Sequence, residues 1–415
     1  MRMNKRFLSA AYGNTIDMNP ARYPILLTWV YVAFALVGSL ERHAFAQEAS
    51  FHIHGLAVDA NEGIAAADVD QDGKTDLVAG RCWYRNGDWL PRPLRSIDDW
   101  NGYVQSNGDY VFDVNADGFP DVVAGSFLPT EIHWYENPGK KGLKLGQLWK
   151  QHLLIDSGQS QNEGGLLEDI DGDGIPELII NRWKKDTPFL VQRFVRSGEA
   201  DESGAKFHVE TATVGDKGNG HGLAVGDING DGNKDILVGQ GWYEQPNENP
   251  WTSEWKFHKA WDLHSSLPML VTDLDLNGKN DLIFGNGHDF GLFWWQNEGL
   301  NEEGEVQWKE HEIDKTFSQP HSLAWADLTG DGKPELITGK RYYAHNGKDP
   351  GGEEMPCLYY YEWNLKEKKF TRHTIEEGHV GTGLQIVVED FDSDGDADLA
   401  VAGKSGTYLL VNQRQ

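Results

Sequence analysis

The sequence predicts an all-β protein: a seven-bladed β-propeller of four-stranded antiparallel blades, closed by an N-terminal strand that completes the last blade. Three observations carry this. An acidic nine-residue pattern, Asp-x-(Asp/Asn)-x-(Asp/Asn)-Gly-x-x-(Asp/Glu), starts at Asp68, Asp113, Asp169, Asp227, Asp273, Asp327 and Asp390, the sixth copy carrying Thr329 at its third position. Each copy lies between short apolar runs and leads to further strand-like pieces, with starts 45 to 63 residues apart and no helix-period segment between them. The chain ends on a third-strand segment, Tyr408 to Val411, and a lone fourth-strand match, Phe51-His52-Ile53-His54, stands near its beginning.

Within a unit the order is apolar strand, acidic loop, apolar strand, aromatic strand, and a strand in which an aromatic is closely followed by His. The third piece reads Trp83-Tyr84-Arg85-Asn86, Trp134-Tyr135-Glu136-Asn137, Trp242-Tyr243-Glu244-Gln245 and Trp294-Trp295-Gln296-Asn297. The fourth carries His152, His208, His258, His311 and His373, with His52 in the lone copy. These histidines recur with the repeat and are expected to be packing or hydrogen-bonding residues. Four-stranded sheets repeated radially make a propeller, and joining the two chain ends in one blade leaves no open sheet edge.

The chain has 415 residues, 65 acidic and 37 basic, for a formal charge of −28, with 48 glycines and only 2 cysteines. So acidic a balance argues against nucleic acid as a partner, and two cysteines make no disulfide scaffold. Residues Ile25 to Leu40 form one long apolar run, preceded by basic residues and followed by Ala44-Phe45-Ala46. That is the order of a secretory signal, so residues 1–46 are expected to be a signal peptide and 47–415 a single exported domain, periplasmic or extracellular, without a stable membrane span after cleavage. Sixteen apolar residues are short of the ~20 a bilayer span requires.

The acidic loops point to calcium, which takes six to eight oxygen ligands. The expected ligands are Asp68, Asp70, Asp72 and Asp76; Asp113, Asn115, Asp117 and Asp121; Asp169, Asp171, Asp173 and Glu177; Asp227, Asn229, Asp231 and Asp235; Asp273, Asp275, Asn277 and Asp281; Asp327, Thr329, Asp331 and Glu335; and Asp390, Asp392, Asp394 and Asp398. The loops at Asp68, Asp169 and Asp390, with four acids each, should bind most tightly. These ions are read as structural.

With these loops the chain resembles the FG-GAP (VCBS-type) repeat family, the calcium-loop propellers also seen in integrin α-subunit heads. The resemblance implies the propeller fold and several structural Ca2+ sites. The stretch from His221-Gly222-Leu223-Ala224-Val225-Gly226-Asp227 through Gly241-Trp242-Tyr243-Glu244-Gln245-Pro246 is also similar to the propeller part of aldos-2-ulose dehydratases.

Each innermost strand runs into its acidic loop, so the strand starts ring the other end of the channel. Six residues before the loops stand Glu62, Asn107, Glu163, His221, Leu267, His321 and Leu384; after the second strands stand Arg81, Ser126, Arg182, Gln240, Asn286, Lys340 and Lys404. Carboxylates, imidazoles and cations at one mouth are the candidate site. In an exported lyase or dehydratase acting on an acidic or keto sugar, His221 with Glu163 would be the base pair or part of a catalytic divalent-metal site, with Glu62 in the same ring. His321 or Tyr103 would be the acid, and Arg81, Arg182, Lys340 and Lys404 would hold the enolate or a uronate carboxylate beside Asn107. Trp242 and Trp100 are candidate sugar-stacking walls or, in the bland alternative, blade core. The linker from Lys340 to Pro356, with Arg341, Tyr342, Tyr343 and His345, is a candidate lid. The other class of function is a non-catalytic propeller gripping a glycan or protein ligand with the same face.

Overall fold

The computed structural model describes residues 48–202 and 204–414; the signal segment read at 1–46 lies outside them. Seven four-stranded antiparallel sheets follow one another along the chain. Blade 1 is Ala65–Ala67, Asp76–Ala79, Cys82–Tyr84 and Pro91–Pro93. Blade 2 is Asp109–Phe112, Asp121–Ala124, Glu131–Glu136 and Lys150–Asp156. Blade 3 is Asn162–Glu168, Glu177–Arg182, Phe189–Arg196 and Phe207–Gly215. Blade 4 is Leu223–Gly226, Asp235–Val238, Gly241–Glu244 and Lys256–Lys259. Blade 5 is Leu270–Thr272, Asp281–Gly285, Phe290–Leu300 and Val306–Ser318. Blade 6 is Pro320–Ala326, Glu335–Lys340, Cys357–Asn364 and Lys369–Glu377. The last sheet holds Ile386–Glu389, Asp398–Gly403 and Gly406–Asn412, with Phe51–Ala57 paired antiparallel to Gly406–Asn412 as its outer strand.

The apolar core is divided among the blade interfaces. Ile179 and Phe189 of blade 3 pack on Leu223 and Ile236 of blade 4, and Val123 and Trp134 of blade 2 on Leu178 and Phe194 of blade 3. Comparable clusters join blades 4 and 5, 5 and 6, 6 and 7, and 1 and 2. The ring is completed by Ala400, Ala402 and Leu409 of blade 7 against Ile64, Leu77 and Tyr84 of blade 1.

The repeated side chains explain why each unit folds alike. In all seven loops the sixth-position glycine N–H donates to the first aspartate at 2.8–3.0 Å. Those glycines have φ between +83° and +93°, which only glycine adopts without strain. An Asn or Gln in the later part of the third strand or just beyond it is a second device: its side-chain amide reaches the preceding blade and donates to the carbonyl of the second loop residue. Asn86 does so to Phe391, Asn137 to Val69, Gln245 to Ile170, Asn297 to Ile228 and Asn412 to Leu328, at 2.6–3.1 Å. The fourth-strand histidines stack on third-strand aromatics: His152 on Trp134, His258 on Trp242, His311 on Trp294 and His373 on Tyr360, with ring centroids 4.0–4.6 Å apart.

Two elements fall outside the four-strand pattern. A short helix, Gly139–Lys144, follows the third strand of blade 2, and a small hairpin, Asp99–Trp100 with Tyr103–Val104, stands between blades 1 and 2. Cys82 and Cys357 are both free thiols.

A chain lacking residues through Ala57 exposes the hydrogen-bonding edge of Gly406–Asn412 and should aggregate and melt well below the full protein; light scattering and a thermal melt check this, and a monomer of native melting would contradict it. Asn297→Ala should lower unfolding free energy by about 1–3 kcal/mol, because the Ile228 and Asn280 carbonyls lose their shared donor in a buried interface. Urea unfolding is the measurement.

Candidate functional site

Each inner strand runs from the channel mouth to its acidic loop, so ring residues and loops sit at opposite ends of the same strands; Glu163 and Asp169 bracket the first strand of blade 3. At the mouth, Arg341 reaches across the channel. Its Nε and Nη2 donate to the two oxygens of Glu62 at 2.8 and 3.0 Å, and its Nη1 donates to Glu163 Oε1 at 2.6 Å. Lys404 Nζ adds a bond to Glu62 Oε1 at 2.8 Å and lies 4.5 Å from the centre of the Tyr103 ring. Glu62, Glu163 and Arg341 are all buried. Burial would raise the Glu62 carboxyl, but Arg341 and Lys404 outweigh it and hold Glu62 well below the usual carboxylate range. Burial pulls Lys404 below the usual lysine value, against the opposing pull of Glu62.

Beside this network stands an imidazole cluster. His321 is fully buried, with Nε2 3.8 Å from Glu163 Oε1. His221 is held where Gly239 lets the neighbouring strand approach: a Cβ there would fall 2.0 Å from the His221 carbonyl. His288 Nε2 lies 2.6 Å from His221 Nε2, while its Nδ1 lies 2.8 Å from Asp349 Oδ2. The other Asp349 oxygen bonds His345 Nδ1 at 3.0 Å, and the His345 ring stacks on His288 at 4.5 Å. Burial, together with neighbouring imidazoles and Arg341, keeps His221 and His321 well below the usual histidine range. Trp183 stands edge-on to His221, His288 and His345, with centroids 5.1–5.6 Å away.

An open cavity of about 260 Å3 lies on this network, lined by Glu62, Trp100, Tyr103, Asn107, Phe127, Glu163, Arg341, His345 and Lys404 among others. Trp100 stacks on Phe127 at 5.7 Å and forms an aromatic wall. Burial and the nearby Glu62 charge raise the Tyr103 hydroxyl above its usual value.

The structure thus brings together Glu62, Tyr103, Asn107, Glu163, His221, His321 and Lys404. The remaining expected ligand-binding residues are turned elsewhere. Trp242 is buried in the core of blade 4 and stacks on His258, so it is no sugar wall. Arg81 is tied to Asp59, Asp99 and the Ile97 carbonyl, and so braces the hairpin that carries Trp100. Lys340 is buried with Nζ on Ser318 Oγ and the Gly351 carbonyl, anchoring the linker that follows it. Arg182 is buried, with Nη1 on the Ile180 carbonyl and no carboxylate paired with it among the described residues, and burial pulls it down to about 10.

Three participants escaped the sequence reading. His288 and Asp349 come from linkers between second and third strands, and Arg341, seen only as part of a lid, is the centre of the charge network. The available signal was the departure of Asn286-Gly287-His288-Asp289 and of residues 340–356 from the repeat.

At the other end, the ninth loop residue proves to be a backbone staple as well as a prospective ligand. Asp76 accepts the N–H groups of Val69 and Asn86, and Asp121, Asp235 and Asp398 repeat the arrangement. Burial pushes these carboxyls up, Asp76 and Asp398 to about 6, Asp121 and Asp235 to about 7, and Glu177 to about 8. In the first loop Arg85 pairs with Asp70 and Asp72 at 2.7 and 2.6 Å, and in the fifth Lys368 pairs with Asp275 at 2.9 Å.

No curated protein matches this chain. Among solved structures, a chain described as the crystal structure of BBS1N in complex with ARL6DN, soaked with mercury, is 13% identical, with 86% of this chain and 94% of that one covered and a TM-score of 0.44. Saccharomyces cerevisiae Sqt1 is 10% identical, with 89% and 100% covered and a TM-score of 0.45. No helix among the described residues is long and apolar enough to cross a membrane. The model of the FG-GAP-like repeat matches residues 113–180, 169–238 and 273–338, each match running from one acidic loop to the second strand of the next blade. The chain therefore carries FG-GAP-like repeats, and they are built into a seven-bladed β-propeller.

Proposed function

We propose that this protein is an exported, calcium-stabilised propeller that acts on carbohydrate at the channel mouth, as a lyase or dehydratase eliminating from an acidic or keto sugar. The observation that carries the reading is the cavity itself: two cations, Arg341 and Lys404, held on carboxylates at its inner wall, with Trp100 and Phe127 stacked at its side. A stacked aromatic wall suits a sugar face, and the cations suit a carboxylate or an enolate oxygen. Elimination also needs a base and an acid. His345, oriented by Asp349, would take the α-proton; the released electron pair forms the double bond as the carbon–oxygen bond breaks; Tyr103 would protonate the departing oxygen. His221, assigned the base role from sequence, faces His288 instead of lining the cavity.

The second reading is a binding module. It draws on the engagement of both Glu62 and Glu163 by Arg341, which occupies these carboxylates and leaves the cavity with groups suited to holding a ligand in place.

The tests separate the two. A screen of uronate-containing glycans and keto sugars, followed by ultraviolet absorbance of the unsaturated product, should reveal turnover. His345→Ala and Tyr103→Phe should each lower it by ~10²–10⁴-fold with unchanged melting. Saturable sugar binding without product under any added divalent metal would remove the lyase reading and leave the binding module.

Calcium in the loops is supported by two buried carboxylate oxygens at ligand positions, Asp70 Oδ1 and Asp275 Oδ1, that have no hydrogen-bond partner among the described residues. The chemistry fits: acids at alternate positions of a tight turn supply hard oxygen ligands, and the ion would neutralise carboxylates that otherwise repel. Ligand binding adds about 2.7 kcal/mol per site at a hundredfold excess over Kd, so chelation should lower the melting temperature markedly. Because Arg85 already occupies two acids of the first loop, the loop at Asp169 should retain calcium at lower free concentrations, which calcium titration of Asp68→Asn and Asp169→Asn variants would resolve. Unchanged melting in excess chelator, with metal analysis showing empty loops, would contradict structural calcium.

A further inference from the structure

We propose that the channel holds one divalent transition-metal ion, bound by His221, His288, His321 and Glu163, distinct from any calcium in the acidic loops. One ligand atom from each of these four residues lies within 4.8 Å of the others. They come from four consecutive blades: Glu163 from the first strand of blade 3, His221 from the turn before blade 4, His288 from the linker after the second strand of blade 5, and His321 from the first strand of blade 6. No local hairpin accounts for such a meeting.

The second observation is polar accounting. His321 is fully buried, yet among the described residues neither of its ring nitrogens has a hydrogen-bond partner, and the Nδ1 of buried His221 has none either. Buried polar atoms are almost always paired, and a bare imidazole nitrogen beside a carboxylate oxygen at 3.8 Å is a group with its lone pair or proton uncompensated. His221 Nε2 and His288 Nε2 face each other at 2.6 Å, a contact that requires a proton or a cation between the two lone pairs.

The surroundings match those of a ligated imidazole. Asp349 Oδ2 holds His288 Nδ1 at 2.8 Å, which leaves Nε2 as the inward atom, and Arg341 Nη1 fixes Glu163 Oε1 at 2.6 Å. A carboxylate behind a histidine is the usual support of a metal-bound ring. Three imidazoles and one carboxylate select a borderline ion of the zinc class, whereas calcium and magnesium take oxygen ligands. The inference does not depend on the sugar chemistry above: the ion would bind whether or not the cavity turns anything over.

The test uses the full exported chain, stripped by chelation, then equilibrated with zinc in millimolar calcium so that the acidic loops are filled, and dialysed. Elemental analysis should find about one zinc per chain, and cobalt in its place should give visible d–d absorption that zinc abolishes. His288→Ala and His321→Ala should each lose the zinc and the cobalt band while keeping calcium content. Asp349→Asn should weaken zinc binding by ~10–100-fold. His258→Ala, which removes a stacked outer-strand histidine, should keep the ion. Should His321→Ala fail to fold, His288→Ala decides, since His288 lies in a linker outside the blade sheets. No zinc retained by the wild-type chain, no cobalt spectrum from the stripped protein, or equal zinc retention in His288→Ala overturns the proposal.

Discussion

No blade of this protein can cover its own two faces, and everything else in the structure follows from that constraint. A single four-stranded sheet has apolar residues on both sides, and only the neighbouring blades can bury them. The apolar clusters accordingly lie between blades, from Val78 and Trp83 against Val122 around to Ala400 and Leu409 against Leu77. Burial here is circular, so the sheet formed from both chain ends belongs to two interfaces of the ring. The amides of Asn86, Asn137, Gln245, Asn297 and Asn412 add a polar tie between consecutive blades at the loop end. Each of these amides donates to a carbonyl within the neighbouring acidic loop, so the conformation of the loop and the contact between two blades are coupled.

The charge network at the opposite end is a different kind of object. Burying Arg341, Glu62 and Glu163 costs several kcal/mol per ion, and the mutual attraction offsets that only because the guanidinium meets both carboxylates with short bonds. An apolar plug would serve stability as well. What the ion network provides is position: Glu62 belongs to blade 1, Glu163 to blade 3, Arg341 to the linker between the second and third strands of blade 6, and Lys404 to blade 7. Groups so distant in sequence are held within hydrogen-bonding distance by a scaffold that owes its stability to the blade interfaces.

Repetition made the fold legible. Seven loops in register gave the blade count, and that register also gave Glu62, Glu163, His221 and His321 as members of one ring. The recurrence of the fourth-strand histidines marked them as packing or hydrogen-bonding residues, and His152, His258, His311 and His373 stack on third-strand aromatics while His208 bonds Ser197 Oγ. Register tells which ring a residue belongs to and not which way its side chain turns. Arg182 and Lys340 share a position with Lys404, yet Lys404 meets Glu62 while Lys340 binds Ser318 and Arg182 folds back on Ile180. Trp242 was misplaced for the opposite reason: its recurrence with His258 already marked it as blade core. His288 and Asp349 were invisible to a repeat-based reading because they lie in segments that break the repeat.

That division has a physical cause. Inner strands are locked by close backbone approaches, as at Gly239 beside the His221 carbonyl and Gly285 beside the Pro320 carbonyl, where even a methyl group would collide. A strand so constrained can offer one side chain at its start and little else. New chemistry must then enter through the connections that leave the sheets at the mouth, where added residues disturb no blade interface. The hairpin with Trp100 and Tyr103, the turn with Phe127, the turn with Trp183, the linker with His288 and the segment from Arg341 to Asp349 are those connections. The fixed strand starts supply Glu62, Glu163, His221 and His321, and the variable connections decide what those groups face. The irregular segments therefore set the lining of the mouth, while the repeats determine where those segments converge.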